Sequence, residues 1–256
     1  MNHRARKRFG QNFLQDHTVI ERIVSSMRLK SDDNVVEVGP GLGALTLPLL
    51  AQLDRLHVIE IDRDLIQRLE AQQLENLTIQ SADVLNVDLE PIAADRPLRV
   101  VGNLPYNIGT PLLIRLLDVH HLLKDVHVML QKEVVDRLDA KPNTRAFGRI
   151  SVLMQSVFNI EPLFKVPPHS FEPAPKVESA VVRLTPLENA LGKNEIKALE
   201  NCTRIAFASK RKTLRNNLKG HLDDESLESM GINPQARAET LDIKAFHRLS
   251  KRLSET

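Results

Sequence analysis

The sequence predicts an α/β fold: a mostly parallel, mixed sheet with helices on both faces, followed by a small all-helical region. Three observations carry this. Short apolar runs alternate with amphipathic ones through the first 150 residues, the pattern of strand–helix–strand units. Polar or glycine-rich segments follow three of those runs, at 39–43, 60–62 and 103–107. In such sheets ligands gather beyond the carboxyl ends of the strands. Past Pro186 the apolar spacing is helical only, which divides the chain into 1–187 and 188–256.

The elements follow in order. Val19, Ile20, Ile23, Val24 and Met27 share one face at helical spacing, so 18–27 is a helix. Residues 35–38 form a short buried strand, 39–43 a turn, and 44–53 a helix that Pro48 kinks or shortens. A second strand spans 56–61, and Asp62 caps a helix through Leu69. Strands at 77–80 and 98–101 come next. Thr110 and Pro111 form an N-cap and N1 pair for a helix through Leu117. Residues 126–130 supply a fifth strand. Two more, 158–166 and 179–184, flank a loop stiffened by Pro167, Pro168, Pro173 and Pro175.

Composition excludes several classes. Of 256 residues, 42% are apolar, enough for a core, and the formal net charge is only +2. Cys202 is the one cysteine, so no intramolecular disulfide forms, which fits a reducing cytosol. No apolar run approaches the roughly 18 residues of a membrane span. Arg4, Arg6, Lys7 and Arg8 precede no apolar stretch of the kind a secretory signal needs. They run quickly into the first patterned helix, which argues against a mitochondrial presequence. The expectation is a cytoplasmic protein with no membrane partner.

Charge is uneven along the chain. Residues 203–220 carry Arg204, Lys210, Arg211, Lys212, Arg215 and Lys219 and no acid. With Lys141, Arg145, Arg149 and the basic N-terminus they suggest a track for phosphates. The plainer alternative is a solvated helix face.

The turn Gly39-x-Gly41-x-Gly43 lies between a strand and a helix, where glycine lets a backbone approach a ligand closely. The helix N-terminus would add a positive dipole end. Glu60 ends the next strand, where a carboxylate can accept both hydroxyls of a ribose. Together they point to an adenosine-containing cofactor. A dinucleotide site prefers G-x-G-x-x-G over its pyrophosphate; the shorter spacing here favours a cofactor without phosphates. Asp83 follows the third strand and can accept from an adenine amino group, although on its own it is better explained as a turn aspartate.

Asn103-Leu104-Pro105-Tyr106 ends the fourth strand and holds the chain's only tyrosine. Pro105 restricts itself and Leu104 to extended geometry, so the loop is stiff. The exocyclic nitrogen of adenine is a poor nucleophile because its lone pair is delocalised into the ring. Two acceptors on its N–H groups would turn that lone pair toward a methyl donor. The Asn103 side-chain oxygen and a Leu104 or Pro105 carbonyl can serve, with Tyr106 stacking on the base face. Alignment then carries most of the catalysis, with no metal and no covalent nucleophile. The alternative is an ordinary turn with a half-buried tyrosine. Phe171, in the proline-rich loop, is balanced between a second wall for a flipped base and a core anchor.

These strings make a family resemblance plain. Residues 6–14 (RKRFGQNFL), 36–43 (VEVGPGLG), 102–107 (GNLPYN), 173–182 (PAPKVESAVV) and 211–216 (RKTLRN) resemble the ribosomal RNA adenine dimethyltransferases. Within them the match is to the bacterial small-subunit (16S) type, the kasugamycin-sensitivity methyltransferase family. The resemblance spans nearly the whole chain. It implies a Rossmann-like class I methyltransferase domain at 1–187 and a helical RNA-binding domain at 188–256. It implies S-adenosylmethionine as cofactor, contacted through Asn12, Leu14, Gly39, Gly41, Glu60, Asp83 and Asn103. It implies dimethylation of N6 on two adjacent adenines near the 3′ end of 16S rRNA, a part in small-subunit biogenesis, and a monomer. The RNA contacts it suggests are Arg6, Lys7, Arg8, Lys210, Arg211, Lys212 and Arg215. One departure is Gly109, where the family more often has serine; it would loosen the turn beyond the catalytic loop.

Other readings compete. A non-catalytic assembly factor could use the same RNA surface, but an intact Asn103–Tyr106 loop and Glu60 argue for chemistry. A nicotinamide dehydrogenase would need the third glycine at another spacing and a catalytic His/Lys pair. A large-subunit rRNA adenine methyltransferase is disfavoured by the match of the C-terminal basic segment.

Overall fold

The computed structural model describes residues 11–94 and 96–255; Arg6, Lys7 and Arg8 lie outside them. The chain separates into two compact units, Met1–Val135 with Glu161–Pro186, and Asp136–Ile160 with Leu187–Thr256.

In the first unit β1 (Phe13–Leu14) precedes α1 (His17–Met27). The Asp16 carboxylate accepts from the Thr18 and Val19 N–H groups and caps that helix. Its five apolar residues are all buried, each burial contributing ~1.5–3 kcal/mol. The alternation continues through β2 (Asn34–Val38), α2 (Thr46–Leu50), β3 (Leu56–Glu60), α3 (Arg63–Glu70), β4 (Leu77–Ser81) and α4 (Glu90–Ala93). Next come β5 (Leu98–Asn103), α5 (Tyr106–Asp118), β6 (Leu123–Gln131) and α6 (Lys132–Leu138), whose last three residues are counted with the second unit. The strands β7 (Phe158–Val166), β8 (Phe171–Glu172) and β9 (Ser179–Pro186) close the series.

Seven strands form one sheet in the order β4-β3-β2-β5-β6-β9-β7. The first five in that order pair in parallel, and β9 runs antiparallel to β6. The chain winds outward from β2 to β4, then returns to β5 on the other side of β2. The switch point therefore lies between the carboxyl ends of β2 and β5, where open α/β sheets bind ligands. A separate two-stranded pairing joins β1 to β8.

Three local expectations need correction. The helix expected at 44–53 is reduced to the five residues of α2; Pro48 falls in its first turn, where a missing N–H costs nothing. So short a helix has little dipole, and attraction for a ligand there falls to the N–H groups of the turn itself. The helix expected to open at Thr110-Pro111 begins five residues earlier. Pro105, extended at φ −53° and ψ 138°, ends the preceding backbone and serves as N-cap, and its carbonyl accepts from the Ile108 N–H at 3.0 Å. Pro111 thus sits inside α5, removing only a bond to the carbonyl of Asn107, which is exposed to solvent. Gly109 lies in this helix rather than in a turn, and a Cβ there would meet Leu130 Cδ2 at 2.7 Å.

The second unit holds α7 (Arg149–Gln155), α8 (Lys193–Ala206), α9 (Leu214–Asn217), α10 (Asp224–Ser229) and α11 (Ile243–Ser254). Phe207 stacks on Phe246 with centroids 5.5 Å apart and meets Phe147 at 6.5 Å. Cys202 is fully buried, and burial pushes its thiol up to about 12, so it is inert as a nucleophile. Lys210, Arg211 and Lys212 occupy the turn between α8 and α9, not a helix face.

Candidate active site

The carboxyl ends of β2, β3 and β5 surround a cleft with a cavity volume of about 290 Å³. Every residue the sequence assigned to cofactor or catalysis lines it: Asn12, Leu14, Gly39, Gly41, Glu60, Asp83 and Asn103 through Tyr106, together with Phe171.

The glycine turn owes its shape to backbone that other residues avoid. Gly39, Gly41 and Gly43 have φ of +67°, +59° and +88°. A Cβ on Gly41 would press the Phe13 ring at 3.3 Å, so Phe13 packs where a side chain is missing. The Gly39 N–H bonds the Ile59 carbonyl at 2.9 Å and ties the turn to β3.

Glu60 is buried and held by three backbone donors: Gly41 N–H at 3.3 Å, Ile61 N–H at 2.9 Å and Asp62 N–H at 2.9 Å. Burial raises its pKa against the pull of these bonds. Asp62 caps α3 by accepting from Asp64 N–H at 3.1 Å and also accepts from Gln11 Nε2 at 3.0 Å. Asp83 caps a short turn, accepting from Leu85 N–H at 3.0 Å and Asn86 Nδ2 at 3.1 Å. Both its oxygens carry a turn bond, and each keeps a second lone pair for the cleft.

Asn103 ends β5. Its Nδ2 donates to the Asn12 carbonyl at 2.9 Å. A carbonyl only accepts, so turning the amide over would set oxygen against oxygen. That bond fixes the carboxamide and leaves Oδ1 as the acceptor for the cleft that Asn103 lines. The preceding Gly102 is required by space, since a Cβ there would lie 2.6 Å from the Val38 carbonyl oxygen. Tyr106 opens α5, and its hydroxyl lies 3.0 Å from Ser179 Oγ. Phe171 is only 4% exposed and belongs to the apolar core with Leu14 and Val19. It walls the cleft from within the core, with little surface to offer a base.

Sequence reasoning missed Glu37. It interrupts an otherwise apolar strand, which was the available signal, and it is 1% exposed on the cleft wall. Burial pushes its pKa up to about 8; Thr46 Oγ, 2.7 Å away, opposes the shift and the charge of Glu60 adds to it. Among the described residues no Lys, Arg or His lines the cleft. Buried carboxylates without a cation suit a positively charged adenosine derivative and oppose a pyrophosphate. The donor set therefore fits S-adenosylmethionine: Glu60 for the ribose, Asp83 for the adenine amino group, Glu37 for the cationic end. Among the described residues no group of three or more His, Cys, Asp and Glu is arranged for a metal.

Lys210, Arg211, Lys212 and Arg215 belong to the second unit. Lys210 Nζ donates to the Arg145 carbonyl at 3.0 Å, joining the 141–149 loop to the 209–213 turn. Arg211 and Lys212 are exposed. Arg215 is engaged by Asp224 through two hydrogen bonds, which removes much of its charge from any phosphate track.

Known proteins resemble this chain along nearly its whole length. The chain is 49% identical over 254 residues to "Ribosomal RNA small subunit methyltransferase A" of Neisseria meningitidis, covering 98% of this chain and 97% of the relative. Among solved structures it resembles a dimethyladenosine transferase from Plasmodium falciparum, with TM-score 0.82, 24% identity and coverage of 95% and 98%; that likeness speaks for the fold. It also resembles the 23S rRNA methyltransferase ErmE, with TM-score 0.72, 25% identity and coverage of 95% and 100%. The description "Ribosomal RNA adenine dimethylase" matches residues 2–255, and the chain belongs to that family.

Proposed function

We propose that this chain transfers methyl groups to N6 of two adjacent adenines near the 3′ end of 16S rRNA, in the small ribosomal subunit or its precursor, acting as a cytoplasmic monomer. Identity of 49% to a small-subunit methyltransferase, against 25% to a large-subunit one, supports the choice of subunit. The observation that carries the chemistry is Asn103, whose amide nitrogen is spent on Asn12 and whose oxygen remains for the cleft.

S-adenosylmethionine, when bound, supplies an electrophilic methyl group. The rest is done by this chain. Glu60, Asp83 and Glu37 hold the cofactor at its ribose, adenine and cationic ends. Asn103 Oδ1 accepts one N6 hydrogen of the target adenine. The Leu104 carbonyl is the better second acceptor, because that of Pro105 already takes a helix bond. With its hydrogens held, two in the first transfer and the remaining one in the second, the N6 lone pair would turn out of the ring plane toward the methyl donor, and the nitrogen would release one proton to solvent after each transfer. Tyr106 stacks on the base, which contributes ~1–3 kcal/mol; Phe171 backs the cleft from the core. A base must leave its helix to enter. The helical unit contributes RNA contacts through Lys210, Arg211 and Lys212, joined in sequence by Arg6, Lys7 and Arg8, with Arg215 available only when it parts from Asp224.

The test incubates purified protein with undermethylated small subunits and cofactor, then digests the rRNA to nucleosides for mass spectrometry. N6,N6-dimethyladenosine at two adjacent positions is expected. Its absence, with tight binding to the subunit intact, would favour an assembly role alone.

A further inference from the structure

We propose that Ser179 is a positioning residue whose hydroxyl holds the Tyr106 ring in the orientation that receives the target base. This rests on the reading of Tyr106 as the stacking platform. Stacking needs only a ring, and the chain has eight phenylalanines but one tyrosine. The phenol at this position therefore calls for a use of its own hydroxyl, and the structure supplies one 3.0 Å away.

The anchor is firm on both sides. Ser179 is 1% exposed and begins β9, paired with Gln131 at the end of β6. Just before it, the Glu178 carbonyl accepts from the Lys132 N–H at 2.9 Å. Its Oγ thus sits on sheet backbone, and among the described residues its side-chain partner is the Tyr106 hydroxyl. A buried serine requires a partner that an alanine of similar size would not. Tyr106 is tied at its other end, as the first residue of α5 behind the extended Pro105. Burial keeps its hydroxyl protonated above the ordinary range, so either hydroxyl can donate. A ring held at Cα and at Oη can turn only about the line between them, and a phenol hydroxyl bonds best near its ring plane, so a fixed Ser179 Oγ restrains that turn as well. The range of ring orientations is narrowed before the base arrives, and less freedom is lost when it stacks.

The experiment measures single-turnover methyl transfer to undermethylated small subunits at saturating cofactor, with subunit concentration varied. Ser179→Ala and Tyr106→Phe each remove the same hydrogen bond. Each should slow transfer roughly 3- to 10-fold, the scale of ordering one side chain. The double variant should be no slower than the slower single one, Ser179→Thr should recover the rate, and calorimetry should find cofactor affinity unchanged. Additive losses in the double variant would mean that Ser179 acts by some other route and overturn the proposal. So would a wild-type rate for Ser179→Ala while Tyr106→Ala is impaired. A wild-type rate for Tyr106→Ala would instead overturn the stacking reading itself. If Ser179→Ala folds poorly, Tyr106→Phe breaks the same bond from the other side, and its rate beside that of Ser179→Thr still decides.

Discussion

Acidification should weaken cofactor binding, because Glu37 has to lose a proton to face a cationic ligand. Its pKa in the free protein is about 8, displaced from 4.5 by burial. That displacement is a penalty of roughly 5 kcal/mol on the charged form. At pH 7 about nine-tenths of Glu37 side chains therefore carry a proton. The groups that face it are Thr46, whose hydroxyl lowers the value, and Glu60, whose charge raises it. A bound cation reverses the balance and restores ionisation. Binding near pH 7 should then release most of a proton, and affinity should fall up to about tenfold per unit as pH drops from 7 to 6. Calorimetry in two buffers of different ionisation enthalpy reads the proton count. Glu37→Gln should abolish both the proton release and the slope. Zero release at pH 7, or a flat affinity from pH 6 to 7.5, would refute the assignment. The same group bears on stability with a definite sign. Between 4.5 and about 8 the folded free protein binds a proton that the unfolded chain does not, so stability declines as pH rises through that window. Glu37→Gln should remove that decline.

Three further outcomes follow from the geometry. Asn103→Ala should lower single-turnover methyl transfer roughly 10²–10³-fold, the scale of one preorganised polar contact, with folding and subunit affinity kept; a wild-type rate at saturating cofactor would discard the lone-pair mechanism. Gly102→Ala drives a Cβ against the Val38 carbonyl oxygen, which is backbone and cannot turn aside; it should cost ~1–3 kcal/mol in thermal unfolding and displace Asn103 enough to depress turnover. Reversing Arg211 and Lys212 to Glu should weaken subunit binding and flatten its salt dependence while cofactor affinity holds; an unchanged salt slope would show both to be solvated surface.

Much of the fold was legible because its signals are local. Five apolar residues at helical spacing mark α1, and Asp62 marks the start of α3. The glycine turn, Glu60 and the Asn103 loop were found because strand ends bear ligands in this architecture. What escaped depended on neighbours remote in sequence. The run 98–101 contains Arg99, which sequence alone would leave in solvent; it is 4% exposed because Asp33 and Asp125 accept from it at 2.6 and 2.7 Å. The α5 boundary was missed because Thr110-Pro111 is a good cap in isolation, yet Pro105 reaches the extended conformation first. Phe171 cannot be assigned from its own string, because the residue it pairs with, Leu14, is remote in sequence.

The arrangement of Asn103 shows why motifs alone understate this site. Its amide is oriented by a carbonyl 91 residues away, at Asn12. Asn12 is placed in turn by its neighbours: Gln11 bonds Asp62, Phe13 packs on Gly41, and Phe13–Leu14 pairs with Phe171–Glu172. The segment from Gln11 to Leu14 therefore touches Asp62 just beyond β3, the glycine turn, the Asn103 amide and the proline-rich loop at once. Four strings that look independent in sequence form one hydrogen-bonded and packed unit in space. A change at Phe13 would alter the orientation of Asn103 without itself meeting the base, because the contact that aims the amide is backbone, and backbone moves with its whole segment.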